Sequence, residues 1–498
     1  MSFEFGSDIR ERTHRLNRRR LTDARAERSD YVLVWIQQAL RAHDNPALDA
    51  GIELANAHDL PVVVYHGLRM DYPHASDRLH RFILGASRDL ERDCEARGLR
   101  CVTYVETEDH REKGLVYRLA ERALAVVTDE QFVFVARWQA QSFAARAEVP
   151  VISVDAARLV PTRILAAGLS TTPAFRRASG EHRPRFLDYG RDFEPHASRF
   201  TGDLGFQEAH NAKASDDDLD RLVASCRIDH TLPPCPDFPA SRKHATDRTY
   251  EFVKTLANYP YKRNNPADEN AVSRLSPYLH FGVLGPRELA RAVRDSDHKS
   301  NPKWKFGDEL LTWREWFHYL AFHNAESDVP PESFETVPER PRRSLEAHAE
   351  DPREEIYTLD DLLHGNTDDE TWNAAQRQWL STGYMHNNLR MYWGKKIIGW
   401  TRTPRAAWIT ACYINDRLSL DGRDPATYGN MQWCFGRAKP AYREQPVYGW
   451  VAPKTDRAVR KRPGAEEWLA RLASAEALTV SVPNTAFVAT DFENVLVG

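Results

Sequence analysis

Short, wholly apolar runs punctuate the first third of the chain and then stop. They are Tyr31-Val-Leu-Val-Trp-Ile36, Pro61-Val-Val-Val-Tyr65, Cys101-Val-Thr-Tyr-Val105, Ala125-Val-Val127, Phe132-Val-Phe-Val135 and Val149-Pro-Val-Ile-Ser-Val154. Each is rich in β-branched or aromatic residues and too short for a helix, the pattern of parallel strands buried on both faces. Helical periodicity separates most of them, notably over Ser76–Arg97 and Arg111–Leu124. Strand–helix alternation across residues 31–165 predicts a doubly wound, Rossmann-like parallel sheet. Residues 166–245 lose periodicity, and their prolines and the acidic Asp216-Asp-Asp218 run predict an interdomain linker. Residues 246–475 read as helix alone, so the second domain is expected to be all-α. Residues 1–30, centred on Arg18-Arg19-Arg20, are expected to be a basic extension that forms a solvated lead-in helix rather than a nucleic-acid arm. The tail, 476–498, holds one strand-like run, Leu478-Thr-Val-Ser-Val482, open between a strand and a disordered extension.

Within the helical half, the stretch from Gly383 to Trp400 stands apart. Met385, Leu389, Tyr392, Trp393, Ile397 and Trp400 recur at three- and four-residue steps, and Pro404 follows. Trp393 and Trp400 share a face, their Cα atoms roughly 10 Å apart along the axis. His386, Asn387, Asn388 and Arg390 occupy the same turns, unusual company in a core helix. Two indoles and an internal arginine suggest a bed for a cofactor.

Composition narrows the function classes. A net charge of -4 over 498 residues does not announce a nucleic-acid binder, but Arg390 to Arg462 holds 15 Lys/Arg against 5 Asp/Glu. The 13 tryptophans crowd the second half. The six cysteines form no C-x-x-C pair and no cluster with histidine, which argues for reduced thiols in a cytoplasmic protein and against zinc or iron–sulfur chemistry. No apolar run approaches the ~18 residues of a membrane span, and the arginine-rich start lacks the apolar core of a secretory signal. No G-x-G-x-x-G or Walker motif marks the α/β domain, although such sheets bind ligands at the carboxyl ends of their strands. Trp35-Ile-Gln-Gln-Ala-Leu-Arg41 with Asp44-Asn45 lies at that edge, equally readable as a stabilising turn.

Four constellations carry candidate chemistry. Tyr259-Pro-Tyr-Lys-Arg-Asn-Asn-Pro266 leads to Ser273-Arg-Leu-Ser-Pro-Tyr-Leu-His-Phe-Gly282, where Ser276 before Pro277 has the pattern of a helix N-cap and of a phosphate site; by itself, capping is the simpler reading. Asp308-Glu309-Leu-Leu-Thr-Trp313 puts a carboxylate and an indole on one helical face, suited to a flat, polar-edged ligand or to an ordinary amphipathic helix. Trp372-Asn-Ala-Ala-Gln376 precedes the Gly383–Trp400 stretch. Asn415, Leu420-Asp-Gly-Arg-Asp-Pro425 and Tyr428-Gly-Asn-Met-Gln-Trp433 form the last, dense in charge and flanked by aromatics, whether as a ligand-binding array or as a solvated loop.

In order and spacing these motifs resemble the photolyase/cryptochrome flavoproteins, most closely the class II cyclobutane pyrimidine dimer photolyases. The resemblance runs from Trp35 to about Val447 and is sharpest at Leu275-Ser-Pro-Tyr-Leu-His-Phe-Gly282, Trp372–Gln376, Arg390-Met-Tyr-Trp-Gly-Lys-Lys396 and Leu420–Pro425. It implies an α/β antenna domain and an all-α domain holding FAD. By that resemblance Tyr259, Ser273, Leu275 and Ser276 line the ribose and phosphates, Arg390 and Asp421 (with Gly422) flank the isoalloxazine, and Asn415 faces its N5. Glu309 would bond a flipped-out dimer in UV-damaged DNA, Trp313 and Trp433 would stack on it, Met391 would pack against it, and Arg263 and Asn264 would hold DNA near it. Trp393, nearest the flavin, Trp372, central, and Trp400, outermost, would relay electrons inward to oxidised flavin; the relay of class I enzymes would need an aromatic near Met431. Asn387 stands where class II proteins carry glycine and so becomes a dimer contact. After Trp433 the class II His-Asp-Arg-x-Trp segment is replaced by Arg437-Ala-Lys-Pro-Ala-Tyr442. Met391 stands at the second histidine position of (6-4) photolyases. The expected antenna chromophore is an 8-hydroxydeazaflavin rather than folate, with an empty antenna site as the alternative, the expected state a monomer, and the competing function a cryptochrome-like light sensor without repair activity.

Overall fold

A computed structural model describes residues 3–70, 72–190, 192–209, 212–326, 329–330, 333–474 and 478–481. Six strands form one sheet: β1 (Thr13–Arg15), β2 (Tyr31–Ile36), β3 (Val62–Leu68), β4 (Arg100–Val105), β5 (Ala123–Asp129) and β6 (Val151–Val154). Their order is β1-β6-β5-β2-β3-β4, parallel throughout except where β1 meets β6. The chain thus winds from β2 through β3 to β4, then returns to the other side of β2. β2, β5 and β6 are buried along their whole length, as their unbroken apolar runs require.

The switch point between β2 and β5 is filled by the protein itself. The Asp129 carboxylate accepts from the backbone N–H groups of Gln37 (2.7 Å), Gln38 (2.9 Å) and Ala39 (3.1 Å). Asn45 caps the following Pro46–Asn56 helix. Arg41 donates to the carbonyls of Gly282 (2.9 Å) and Ala156 (2.9 Å). Gln37–Asn45 is therefore a stabilising turn that also ties the sheet to the helical half, while Trp35 before it faces a cavity.

Two local expectations are corrected. Phe132–Val135 is not a strand: Phe134 begins the Phe134–Arg146 helix with φ 61°, and its run is apolar because it packs against Phe322 and neighbours of the helical core. The lead-in helix is present and Arg18-Arg19-Arg20 are exposed as expected, but the residues before them are packed on the protein and not solvated. Ser7–Arg12 is a helix and β1 extends the sheet. Arg12 is 2% exposed and donates to the carbonyls of Asp155 (3.2 Å), Arg158 (2.9 Å) and Leu159 (2.6 Å). Arg185 binds Glu11, and Arg287 of the helical half binds Asp8 at 3.4 Å. Arg12→Ala should therefore destabilise the fold by about 3 kcal/mol or more, since three buried carbonyls lose their donor; denaturant unfolding of the variant reads this directly.

Past β6, helices carry the described chain. Helices Thr172–Gly180, Arg183–Asp188 and Asp216–Ala224 interrupt the stretch expected to be linker. Arg242–Thr255, Glu370–Thr382, Asn387–Trp400, Pro404–Leu418 and Pro425–Cys434 form much of the helical core. Of the tail, residues 478–481 are described and Val480 is buried; the rest of the predicted Leu478–Val482 run, Val482, lies outside the described residues. No described helix is long and apolar enough to cross a membrane.

Candidate functional site

The Asn387–Trp400 helix starts at His386, whose Nδ1 accepts the Asn388 N–H at 3.1 Å. Burial pushes the His386 imidazole down to about 4, so it stays neutral and able to accept. One turn on, Arg390 turns inward. It donates to the Asp421 carboxylate at 2.6 Å, to Ser419 Oγ at 3.1 Å and to the Met385 carbonyl at 3.1 Å. Asp421 lies on the short connection between the Pro404–Leu418 and Pro425–Cys434 helices. Burial raises its carboxyl, but Arg390, Ser276 and Ser419 more than offset that and hold it below its ordinary value. Ser276 is thus the first residue of its short helix rather than its cap, and its hydroxyl serves Asp421 instead.

This pair floors a cavity of about 210 Å³ whose walls include Ser276, Tyr384, Asn387, Asp424, Thr427 and Asn430. Asn387 is exposed, so it stands at the mouth. Asp424 closes another side between His280 Nδ1 (3.2 Å) and His318 Nε2 (3.2 Å). Burial raises its carboxyl, yet His318, His280 and Arg314 hold it well below the usual range. Asn415 is fully buried and its side-chain Nδ2 donates to Asp416 at 3.0 Å, while its side-chain Oδ1 has no partner. A Cβ on Gly422 would meet the Asn415 carbonyl at 2.8 Å, so the chain beside Asn415 needs glycine. Tyr259, Ser273 and Leu275 are not among the residues lining this cavity. Tyr259 packs edge-on against Phe252 and Phe306, Leu275 is fully buried, and the Ser273 carbonyl accepts from Arg248 at 2.9 Å.

Glu309 opens a six-residue π-helical segment, Glu309–Arg314, set between two α-helices. Such bulges re-aim side chains and concentrate at functional sites. Nothing in the residue pattern announces it. Glu309 is paired with Arg263 (3.0 Å) and Lys305 (2.6 Å), and Trp313 is half-buried against Trp316 and Phe317. Asn264 joins the same corner, since its carbonyl accepts from Asn388 Nδ2 at 2.8 Å. Met391 packs with its sulfur 4.0 Å from Cys434 Sγ. Trp433 is half-buried, with Lys439 Nζ 4.4 Å and Lys395 Nζ 5.6 Å from its ring centre.

The tryptophans form a continuous row. Trp372 lies between the other two, stacked on Trp393 (centroids 5.9 Å, planes 9° apart) and edge-on to Trp400 at 5.4 Å. Trp372 Nε1 donates to the Trp393 carbonyl at 3.1 Å, and Trp393 Nε1 to Gln376 at 2.9 Å. Trp393 and Trp372 are wholly buried, whereas Trp400 reaches the surface. A fourth indole, Trp379, meets Trp393 at 5.1 Å with Arg390 over its ring. It was missed in the sequence, although it follows Trp372 by two helical turns on the same face.

A second cavity, about 400 Å³, lies against the outer face of the sheet near the carboxyl ends of β2, β3 and β4. Trp35, Tyr65, Tyr104, Tyr117 and Phe143 line it, with Arg69, Lys113 and Arg146 among the charged groups at its edge.

The family model for DNA photolyase matches residues 32–186. The deoxyribodipyrimidine photo-lyase of Methanothermobacter thermautotrophicus is 31% identical over 447 residues, covering 89% of this chain and 95% of that protein. The chain belongs to the DNA photolyase family. The fold agrees with that membership. A class III photolyase from Agrobacterium tumefaciens superposes with a TM-score of 0.65 at 20% identity, covering 89% of this chain and 86% of its own. An archaeal photolyase from Sulfolobus tokodaii, solved with two FAD molecules, superposes with a TM-score of 0.58 at 16% identity, covering 93% and 99%.

Proposed function

We propose that this photolyase-family protein splits cyclobutane pyrimidine dimers in UV-damaged DNA by light-driven electron transfer, in the manner of class II enzymes. One observation carries the reading. The cavity floored by Arg390 and Asp421 has Asn387 at its mouth, while Trp393, on the same helix as Arg390, starts a row of indoles that ends at the surface. An electron-transfer repair enzyme needs such a cavity and an opening to the lesion, and a route to solvent lets oxidised flavin be reduced again.

The residues fit FAD. The buried Arg390–Asp421 pair, with Ser276, Thr427 and Asn430 around the same cavity, suits a polar heterocycle, and this part of the helical half would hold the isoalloxazine; Asn415, whose Oδ1 is unpartnered, is not among the lining residues. When bound and reduced, FAD supplies the photoexcited electron that opens the cyclobutane ring and recovers it afterwards. Arg390 contributes a fixed positive charge beside that electron density, and Asp421 holds the guanidinium in place. Glu309, neutralised by Arg263 and Lys305 in the free protein, offers its carboxyl to the bases of a flipped dimer. Trp313 and Trp433 present indole faces to the same bases, Met391 packs below them, and Asn387 bonds their edge. Trp393, Trp372 and Trp400 carry electrons inward when the flavin is oxidised. The aromatic cavity on the sheet is our candidate for the antenna chromophore, whose flat ring would stack among Trp35, Tyr65 and Tyr104. Glu309, Trp313, Met391 and Trp433 have no use in a sensor that repairs nothing.

Purified protein should release stoichiometric FAD on denaturation, seen by absorption and fluorescence. Protein that neither carries FAD nor takes it up on reconstitution would overturn the cofactor assignment.

A further inference from the structure

We propose that Lys395, Lys439 and Lys454 form one anion site around Trp433, which takes a phosphodiester of the damaged strand next to the base that stacks there. This rests on the repair reading above and adds the residues that would hold the backbone.

The three ammonium groups come from three separate pieces of chain. Lys395 lies on the Asn387–Trp400 helix, Lys439 on the segment after Gly436, and Lys454 on the loop that leads to Arg457. Lys439 and Lys395 both approach the Trp433 ring, at 4.4 Å and 5.6 Å. Lys395 donates to the Ala452 carbonyl, two residues before Lys454 in the chain. Lys454 donates to the Asn388 carbonyl at 2.9 Å and to its side-chain oxygen at 2.5 Å, which puts it beside Asn387 at the cavity mouth.

What sets this cluster apart is the lack of any counter-charge. Among the described residues none of the three lysines pairs with a carboxylate. The neighbouring Lys396, on the same helix, binds Asp369 at 2.8 Å, and Lys305 binds Glu309. The other ionisable groups acting on Lys395 are Cys434 and Lys439; those acting on Lys454 are Cys434, Lys395, Lys439 and Arg462, with His386 on its far side. Burial pushes the Cys434 thiol up to about 11 and His386 down to about 4, so both are neutral near pH 7. Every charge left is positive. Buried cations without counter-ions are costly, and burial first, then mutual repulsion, pushes Lys395 and Lys454 down to about 8.

An arriving anion relieves that cost. A phosphodiester is the anion that comes joined to a base, and half-buried Trp433 supplies a surface for the base. Indole stacking combined with lysines on the backbone is the usual device for gripping a single strand. In the free protein Lys439 covers Trp433; a base that stacks there displaces it toward the phosphate. Because bound phosphate keeps Lys395 and Lys454 charged, binding takes up a proton when pH lies above about 8.

The test is fluorescence anisotropy of FAD-loaded protein on a labelled single strand with one thymine dimer, over a range of salt and pH and in the dark. Affinity should fall about a hundredfold from pH 7 to pH 9, about tenfold for each of the two lysines. Lys439→Gln and Lys454→Gln should each lower the salt slope by about 0.7, and Lys454→Gln should also flatten the pH dependence. Lys395→Gln is kept aside, because that residue is buried. Variants with unchanged flavin content that match wild type in affinity, salt slope and pH response would overturn the proposal. So would inorganic phosphate competing as well as the undamaged strand at equal phosphate concentration, since the site would then prefer the free anion. The readout needs no light, so a protein that binds as described but never repairs would sink the repair reading and leave the anion site standing.

Discussion

Replacing Trp393 with Phe should leave bound flavin slow to photoreduce, while chemically reduced protein keeps its repair activity. Trp393 is wholly buried and has Trp372 stacked on it at 5.9 Å. Phe keeps a ring in that slot but is far harder to oxidise, so the step from Trp372 and Trp400 loses its nearest member. Its Nε1 bond to Gln376 also goes, leaving a buried amide oxygen to find water or reorient. Repair starting from reduced flavin does not draw on the row of indoles and should survive. Time-resolved absorption under blue light gives the first rate, and dimer loss after dithionite reduction gives the second. Equal loss of both would mean that Trp393 holds the cavity together and does not conduct.

The other large effect is expected at Asp421. Asp421→Asn leaves the Arg390 guanidinium buried without a counter-ion, and breaking one side of such a pair destabilises by about 3–5 kcal/mol. The sign with pH follows from the depressed carboxyl. A group lower in the folded than in the unfolded state adds stability above its unfolded value and loses it as pH falls through the folded one. Wild type should therefore lose this contribution in acid, and the variant should lack that part of the acid dependence. Denaturant unfolding at neutral and acidic pH gives both quantities. The variant should also retain less FAD at equal folded protein, because the cavity floor then carries an unpaired charge. A variant as stable as wild type at pH 7 would show that Arg390 has found another acceptor, with Ser419 the nearest.

Residue pattern revealed the parts of this molecule that depend on burial alone. β2, β3, β4, β5 and β6 were legible because strands covered on both faces must be apolar throughout. Phe132–Val135 misled for the same reason: it is apolar because two cores meet there, and a buried turn into a helix has the composition of a strand. The amino-terminal clasp was illegible because Arg12 is a charged residue whose burial depends on three carbonyls brought in from residues 155–159. Motif order brought Arg390 and Asp421 together, and it named the three indoles. The resemblance also set Trp372, from another helix, between Trp393 and Trp400, and the packing has it there; the fourth indole, Trp379, is the member it left out. The π-helical turn at Glu309 and the lysines over Trp433 escaped because one is a backbone adjustment without a composition, and the other joins residues from separate segments.

The central claim is that this chain uses light to split pyrimidine dimers. The direct measurement loads the protein with FAD, reduces it, and incubates it with an oligonucleotide holding one thymine dimer, in darkness and under blue light. Chromatography of the strand should show the dimer restored to two thymines in the illuminated sample alone. Reduced flavin bound, damaged DNA bound and no light-dependent restoration would contradict it.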